Sequence, residues 1–361
     1  MRKVFVGLSG GVDSAVSAAL LKEQGYEVVG AFIKIWSPEF LECTWREDRL
    51  DAMRVCATLG IPFREIDLSR EYREEVVGDM IEQYRQGITP NPDVLCNRRI
   101  KFGAFSRWAL TQGAEMIATG HYARIEKRGN IFSLLAGKDA TKDQSYFLYR
   151  LGQEDLARTL FPIGEYEKGE VRALARKFDL PVAVKPDSQG LCFAGDISMP
   201  EFLARFISLG KGPIINEHGE RIGEHDGAAL YTIGQRHGLH IARSSSQSSE
   251  LLRRSESGPY FVIRVDTASN TVFVSSRHGD ALAHEATLRD THWIEGETPD
   301  LPLHAEAVPR YHAVRAAVTI SDGGDSMRAC FTDPQLLSPG QSLVFYEGER
   351  CLGGGIVDAR E

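Results

Sequence analysis

The sequence predicts an α/β protein that opens with a parallel sheet covered by helices and closes in short strands. Three observations carry this reading. Apolar strands and helices alternate regularly over the first part, a glycine-rich turn, LSGGVDSAV, joins the first strand to the first helix, and from about Met199 the pattern changes to short strands with glycine turns.

Taken in order, Val4 to Leu8 reads as a strand, a helix from about Asp13 is closed by Gly25, and Glu27 to Ile35 is the second strand. A helix near Leu50 to Leu59 is closed by Gly60, a strand follows at Phe63 to Leu68, a helix runs from Glu71 to Arg85, another starts at about Asn97, and a strand lies at Glu115 to Thr119. Helices of this length between strands specify a parallel sheet with both faces covered. Past Ala283 the segments LHAEAVPRY, RAAVTI, MRACFTD and QSLVFYEGERCLGGGIV are spaced like the strands of a small barrel or sandwich. The expected domains are 1–196, 197–282 and 283–361. Arg243 to Gly258, RSSSQSSELLRRSESG, is too polar to build core and reads as a surface loop or as a loop that orders on a polyanion.

The 361 residues carry a formal net charge of -8, so there is no general affinity for phosphate backbones and a nucleic-acid partner needs a local basic face. MRKVFVGLSGG turns to glycine after one short apolar strand, without a signal-peptide core, and no run approaches membrane-spanning length, so a cytoplasmic protein is expected. The six cysteines, at 43, 56, 96, 192, 330 and 351, contain no CxxC pair, which argues against a zinc ribbon or an iron-sulphur cluster. No residue is assigned to a protein metal centre.

LSGGVDSAV places backbone N–H groups and a helix N-terminus where they converge on an anion. It lacks the lysine of GxxxxGK[ST] and the third glycine of GxGxxG. Asp13 inside such a loop repels bare phosphate and makes best sense beside a magnesium ion. SGGVDS matches the pyrophosphatase-loop signature of ATP-dependent ligases and thiolases that form adenylates; a plain capped turn needs only one of these residues.

In TPNPDVLCNRRIKFG, Cys96 stands just ahead of the expected helix and beside Arg98, Arg99 and Lys101, conditions that favour a thiolate, with Asp93 near enough to exchange a proton. Arg98 and Arg99 in a first helical turn oppose the helix dipole, so an anion is expected to offset them. Cys192, in KPDSQGLCFAGD, follows turn-forming residues; it reads either as a buried filler or as a reactive thiol. Two loop cysteines on a chain with adenylating chemistry suggest sulphur transfer, one carrying a persulfide and the other resolving it.

The motifs SGGVDS, NPDVLCNRRIKF, ATGHYAR, KDQSYFLY, DSQGLCF, IGQRHGL and PGQSLVFYEGERCLGGGI resemble, in order and over nearly the whole chain, the bacterial tRNA-specific 2-thiouridylase family. The resemblance implies an N-terminal pyrophosphatase-loop domain of the adenine nucleotide alpha hydrolase kind, a central β-rich domain that binds tRNA and a C-terminal β-barrel. It implies that ATP and Mg2+ activate the C2 oxygen of uridine 34 in tRNAs for lysine, glutamate and glutamine, and that persulfide sulphur replaces it, giving 2-thiouridine, AMP and pyrophosphate.

Carried over by residue, Gly7, Leu8, Ser9, Gly10, Gly11, Val12, Asp13 and Ser14 hold ATP with Ile33 and Gly120. Asn91, Pro92 and Asp93 frame the target base, with Asp93 as acid-base group; Cys192 bears the persulfide and Cys96 is the partner thiol. His121, Lys142, Asp143, Gln144, Arg310, Tyr311 and Gln341 match tRNA-contacting positions. A monomer is expected, loaded by a cysteine desulfurase or a sulphur-relay carrier. The stretch 244–257 is longer and more serine-rich than the resemblance leads one to expect. Two rival readings are an amidating ligase sharing the ATP loop, for which no glutaminase segment is evident, and a tRNA-binding module with a relict nucleotide site.

Overall fold

A computed structural model describes residues 1–40, 45–187, 197–241 and 259–358. Cys192 and the serine-arginine stretch lie outside the described residues.

The chain begins with β1 (Lys3–Leu8), β2 (Glu27–Lys34), β3 (Phe63–Asp67), β4 (Met116–Ala118), β5 (Ala123–Arg128), β6 (Ile131–Ala136) and β7 (Thr159–Leu160). Five of these form an all-parallel sheet in the order β3-β2-β1-β4-β7. Val4, Phe5 and Val6 are all buried, as a strand covered on both faces must be. Helix α1 (Val12–Glu23) and helix α2 (Trp45–Leu59) pack on one face, with Gly25 and Gly60 at their ends as the sequence predicts. The other face is covered by α3, which runs through Ser69–Tyr72, Arg73–Val77 and Gly78–Arg85, and by α4, which runs through Pro92–Leu95, Cys96–Phe105 and Ser106–Thr111. Strand order reverses between β1 and β4, and in open parallel sheets the crevice at the carboxyl ends of such a pair is where ligands sit.

Helix α4 starts earlier than the sequence reading places it. Asn91 is the cap and Pro92 the first helical residue, a position where proline's missing N–H costs nothing. Cys96 is therefore in the second turn, not ahead of the helix, and its segment has the wider π-type winding, in which residues five apart stack on one face.

Between Thr119 and Met199 the sequence reading assigned no elements. The structure places there the β5–β6 hairpin, short α5 (Gln153–Ala157) and α6 (Lys168–Lys177), followed by α7 (Met199–Leu203). The central strands β8 (Gly212–Ile215), β9 (Arg221–His225), β10 (His240–Ile241), β11 (Phe261–Asp266) and β12 (Thr271–Ser275) form a separate sheet.

The C-terminal strands β13 (Ala283–Trp293), β14 (Leu303–Val308), β15 (Ala316–Asp322), β16 (Met327–Gln335), β17 (Ser342–Glu347) and β18 (Arg350–Val357) close on themselves through a β13–β18 pairing. A barrel, rather than a sandwich, is the outcome, and closure removes the exposed edges. β6 adds to it alongside β18, pairing Leu134 with Cys351. One core is shared: Phe5 and Phe105 belong to the same buried cluster as Val308, Val344 and Tyr346. Among the described residues no helix is long and apolar enough to cross a membrane.

A turn of the barrel clasps the chain just ahead of α4. Thr89 N–H donates to the Pro339 carbonyl at 3.1 Å, and Gln341 Nε2 donates to the Thr89 and Pro90 carbonyls at 3.0 and 3.1 Å. Gly340 has φ +86°, and a Cβ there would lie 2.3 Å from Ile88 and 2.7 Å from the Thr89 carbonyl. Gly340→Ala should therefore destabilise the fold by about 1–3 kcal/mol, read as a lower urea midpoint. An unchanged midpoint would mean that the clasp yields without strain.

Candidate active site

The glycine loop lies at the β1–β4 switch point. Ser14 Oγ accepts from Ser9 N–H at 3.2 Å and donates to the Gly11 carbonyl at 3.2 Å, which folds the loop back over the start of α1. Gly10 has φ +75° against the Asp48 backbone, and a Cβ on Gly120 would lie 2.7 Å from Ser14 N. These close approaches exclude any larger residue and leave helix N–H groups facing the crevice. The Ile33 side chain comes within 3.8 Å of where a Gly7 Cβ would stand, so Gly7, Ile33 and Gly120 lie against the loop.

Asp13 is not alone there. Lys168, at the first position of α6, donates to its two carboxylate oxygens at 2.7 and 2.9 Å, and the Tyr122 hydroxyl donates at 3.0 Å. Lys168 is also 2.9 Å from Asp187, which binds Lys142 at 3.1 Å and Arg172 at 2.8 Å. Burial alone would raise the Asp187 pKa, but hydrogen bonds from Lys168 and Lys142 outweigh it and hold the carboxyl down at about 2. Burial, then the Asp13 charge, pushes the Tyr122 phenol up, so it remains a donor.

The second group is carried by α4. Asp93 stands in its first turn and Cys96 one turn later, 6% exposed. The π-type winding brings Lys101, five residues on, to the Cys96 face. Lys101 Nζ lies 3.5 Å from Nε2 of His121, whose Nδ1 is 2.7 Å from the Thr119 hydroxyl. His121 is 7% exposed; burial first and Lys101 second push its pKa well below the ordinary value, so it is neutral, with Nε2 the acceptor and Nδ1 the donor. Burial raises the Asp93 pKa, and Lys101 only partly opposes this.

The charge around Cys96 differs from the sequence expectation. Arg98 pairs with Asp155 at 2.9 Å, and Arg99 faces Glu75 at 4.0 Å and bonds its carbonyl, so both point away into a neighbouring groove. Protein carboxylates supply the anions these arginines need, and among the described residues Lys101 is the cation beside Asp93 and His121. The groove, about 730 Å³, is lined by Arg98, Arg99, Arg107, Arg150, Arg158 and Arg289 interspersed with acidic residues.

Of the remaining candidates, Asn91 is the cap of α4, and Gln341 makes the clasp described above. Lys142 is held by Asp187, Asp143 accepts from Gly137 N–H and from Ser145, and Gln144 Oε1 accepts from Tyr122 N–H at 3.0 Å. Tyr311 packs on Phe147, and Arg310 is exposed, its guanidinium without a hydrogen-bond or ion-pair partner among the described residues. Sequence reasoning missed Lys168, Tyr122 and Asp187 as functional groups. Tyr122 and Asp187 lie within quoted motifs, but Lys168 sits in no motif and reaches Asp13 only through the fold.

The Asp93 shift has a testable sign. A carboxyl whose pKa is raised by folding penalises the folded state fully above that pKa and not at all below the unfolded value of about 3.9. Asp93→Asn should thus be more stable to urea than the unsubstituted protein at pH 7, and the gap should close as pH falls below that value. No gap at pH 7 would mean that the buried charge is fully compensated.

Residues 2–196 match the family described as tRNA methyl transferase HUP domain, 200–276 the tRNA methyl transferase PRC-barrel domain and 283–357 the aminomethyltransferase beta-barrel domain. The tRNA-specific 2-thiouridylases MnmA of Burkholderia multivorans and Ralstonia pickettii are 44% and 43% identical to the chain, over 99% and 100% of it and 93% and 97% of their own lengths. A solved U34-tRNA thiolase NcsA from Methanococcus maripaludis is 19% identical, covering 57% of this chain and 64% of its own at a TM-score of 0.34. With a parallel sheet that carries the SGGVDS loop at its switch point and more than two-fifths identity along essentially its whole length, the chain belongs to the tRNA-specific 2-thiouridylase family, MnmA.

Proposed function

We propose that the chain thiolates tRNA: ATP adenylates the C2 oxygen of wobble uridine 34 in the lysine, glutamate and glutamine tRNAs, and sulphur then replaces that oxygen. The observation that carries this reading is the pair Gly120 and His121. Gly120 packs against the N–H end of the ATP loop, while His121, one residue later, reaches Lys101 on the cysteine helix. A nucleotide on the loop and a base beside Asp93 and Cys96 would therefore share one crevice.

In this reading the uridine O2 attacks the α-phosphorus and pyrophosphate leaves. The terminal sulphur of a persulfide on Cys192 attacks C2 and AMP leaves. Cys96 attacks the Cys192 sulphur, the transferred sulphur departs with the bonding pair, and the resulting disulfide needs reduction before the next cycle. Asp93, kept protonatable by burial, exchanges the proton. The donor set suits magnesium, which takes one or two carboxylates and otherwise phosphate oxygens and water; Asp13, backed by Asp187, would supply them, and the ion would neutralise charge on the phosphates. The donor is a cysteine desulfurase or a relay carrier, and a cytoplasmic monomer suffices.

The test incubates the protein with ATP, magnesium, sulphide and unmodified lysine tRNA, then measures 2-thiouridine by mass spectrometry together with pyrophosphate. Both products in matching amounts are expected, and neither product from folded, tRNA-binding protein would favour a binding module. Cys192→Ala should abolish 2-thiouridine and leave tRNA binding intact; near-normal activity would remove the persulfide role. Lys168→Met should lower pyrophosphate release by about 10²-fold or more, on the scale of losing one preorganised charge at a site of developing negative charge, with tRNA affinity unchanged. Unaltered release would make Lys168 purely structural.

A further inference from the structure

Thr119, His121 and Lys101 form a short chain that starts at the end of β4 and finishes beside Asp93. The Thr119 hydroxyl lies 2.7 Å from His121 Nδ1, and Lys101 Nζ lies 3.5 Å from Nε2. Phe102 and Phe161 pack on the imidazole at centroid distances of 5.8 and 6.0 Å, which fixes the ring. With Nδ1 donating to Thr119, the Nε2 lone pair accepts one of the three donors of the ammonium. A buried, neutral imidazole thus serves to aim a cation.

That cation faces an acid. On α4 its charge acts on Asp93, and Cys96 shares its face. From the barrel, Tyr311 stands close enough to feel both Asp93 and Asp143, and from the loop side Gly120 brings up Asp13 with its partner Lys168. Ionised Asp93 and Lys101 together are neutral, yet burial outweighs the lysine and the carboxyl binds its proton more tightly than usual. A carboxylate of that kind takes a proton readily, and the lysine then faces whatever charge the proton leaves behind.

We propose that Lys101 is a catalytic residue, the fixed counter-charge to the uracil anion that forms when Asp93 removes the N3 proton of the target uridine. This rests on the tRNA-thiolating reading and deepens it, because the O2 of a neutral uracil is a poor nucleophile toward phosphorus. The N3–H bond breaks, the proton goes to Asp93, and the electron pair spreads over N3, O2 and O4. O2 bonds to the α-phosphorus as the bond to pyrophosphate breaks, which leaves an adenylated ring with no N3 proton. Once AMP has left and Cys96 has released the sulphur from Cys192, the 2-thiouracil anion takes the proton back from Asp93. Lys101 balances a negative charge that passes from Asp93 to the ring and later returns, as a preorganised charge does without rearranging.

The experiment supplies the full chain with ATP, magnesium, sulphide and lysine tRNA carrying either uridine or 5-fluorouridine at the target position, and measures pyrophosphate and 2-thiouridine products. Fluorine makes N3 more acidic. Lys101→Met should lower kcat on uridine by about 10²-fold, with the KM for tRNA within about twofold of the unsubstituted value. 5-Fluorouridine should recover about tenfold of that loss while changing the unsubstituted protein by less than about threefold, because a more acidic N3 needs the cation less. The acid limb of the pH profile should also move to higher pH in Lys101→Met, since Asp93 and N3 both hold their protons more tightly without the positive charge. Lys101→Arg keeps the charge and should outperform the methionine variant, and Lys101→Gln, which keeps a donor for His121, should match the methionine variant in kcat and in recovery even if the latter melts early. Equal losses on both bases with an unmoved pH profile, or near-normal activity on uridine, would refute this role of Lys101 while thiolation stands. An unsubstituted protein that gives neither product overturns both readings.

Discussion

The seam between the parallel-sheet domain and the barrel fixes everything around Cys96. Tyr146, Tyr149 and Tyr346 are buried there, and each hydroxyl finds a partner: Tyr146 donates to the Ser342 carbonyl at 2.8 Å, Tyr149 lies 3.3 Å from Ser342 Oγ, and Tyr346 lies 3.0 Å from Ser145 Oγ. Aromatic burial supplies the affinity between the two units, and the hydroxyls supply the register, since leaving one unpaired would cost about 1–3 kcal/mol. Gln341 bonds the Thr89 and Pro90 carbonyls and Asn97 bonds the Phe147 carbonyl, so α4 is anchored to this seam at both sides of Asp93 and Cys96. The site belongs to neither domain alone.

The glycine loop depends on a different balance. A carboxylate in a phosphate cradle is repulsive unless it is matched, and here Lys168 bridges Asp13 to Asp187 while Lys142 and Arg172 complete the cluster. Asp139, which accepts from Lys168 N–H, is a third carboxylate beside these three cations, so the cluster is matched in charge although the chain as a whole is acidic. Lys168 is only 15% exposed, so its pairing is screened less than a surface ion pair and holds the loop in position before any ligand arrives.

What was legible in the sequence follows from how local each signal is. The SGGVDS turn, the strand–helix alternation and the helix-ending glycines need only neighbouring residues, and the structure has them where they are expected. The start of α4 was displaced because Pro92 reads as a loop residue until its place at the first helical position is seen. Lys168 and the β5–β6 hairpin gave no signal, since one finds its partner in Asp13 and the other its sheet in β18. KDQSYFLY reads as one motif but divides in space: Lys142 and Gln144 face the loop cluster, while Asp143, Ser145, Tyr146 and Tyr149 belong to the seam. Arg98 and Arg99 were misread because helical phase, altered by the π-type winding, decides which neighbours of Cys96 share its face.

Burial around Cys96 has a chemical reason in the reaction itself. An activated C2 attacked by water loses AMP together with the original oxygen, takes its new oxygen from the water and becomes uridine again, which wastes the ATP, so the site must favour a sulphur nucleophile over a solvent present in vast excess. Cys96, Asn97, His121 and Phe102 are all nearly inaccessible, and Lys101 beside them lies 3.5 Å from the neutral imidazole and acts through its charge on Asp93. The same dryness raises the Asp93 pKa above the ordinary carboxylate value, the direction that suits an acid-base group. Excluding water and tuning the carboxyl are thus one structural act, and the barrel that covers α4 performs it.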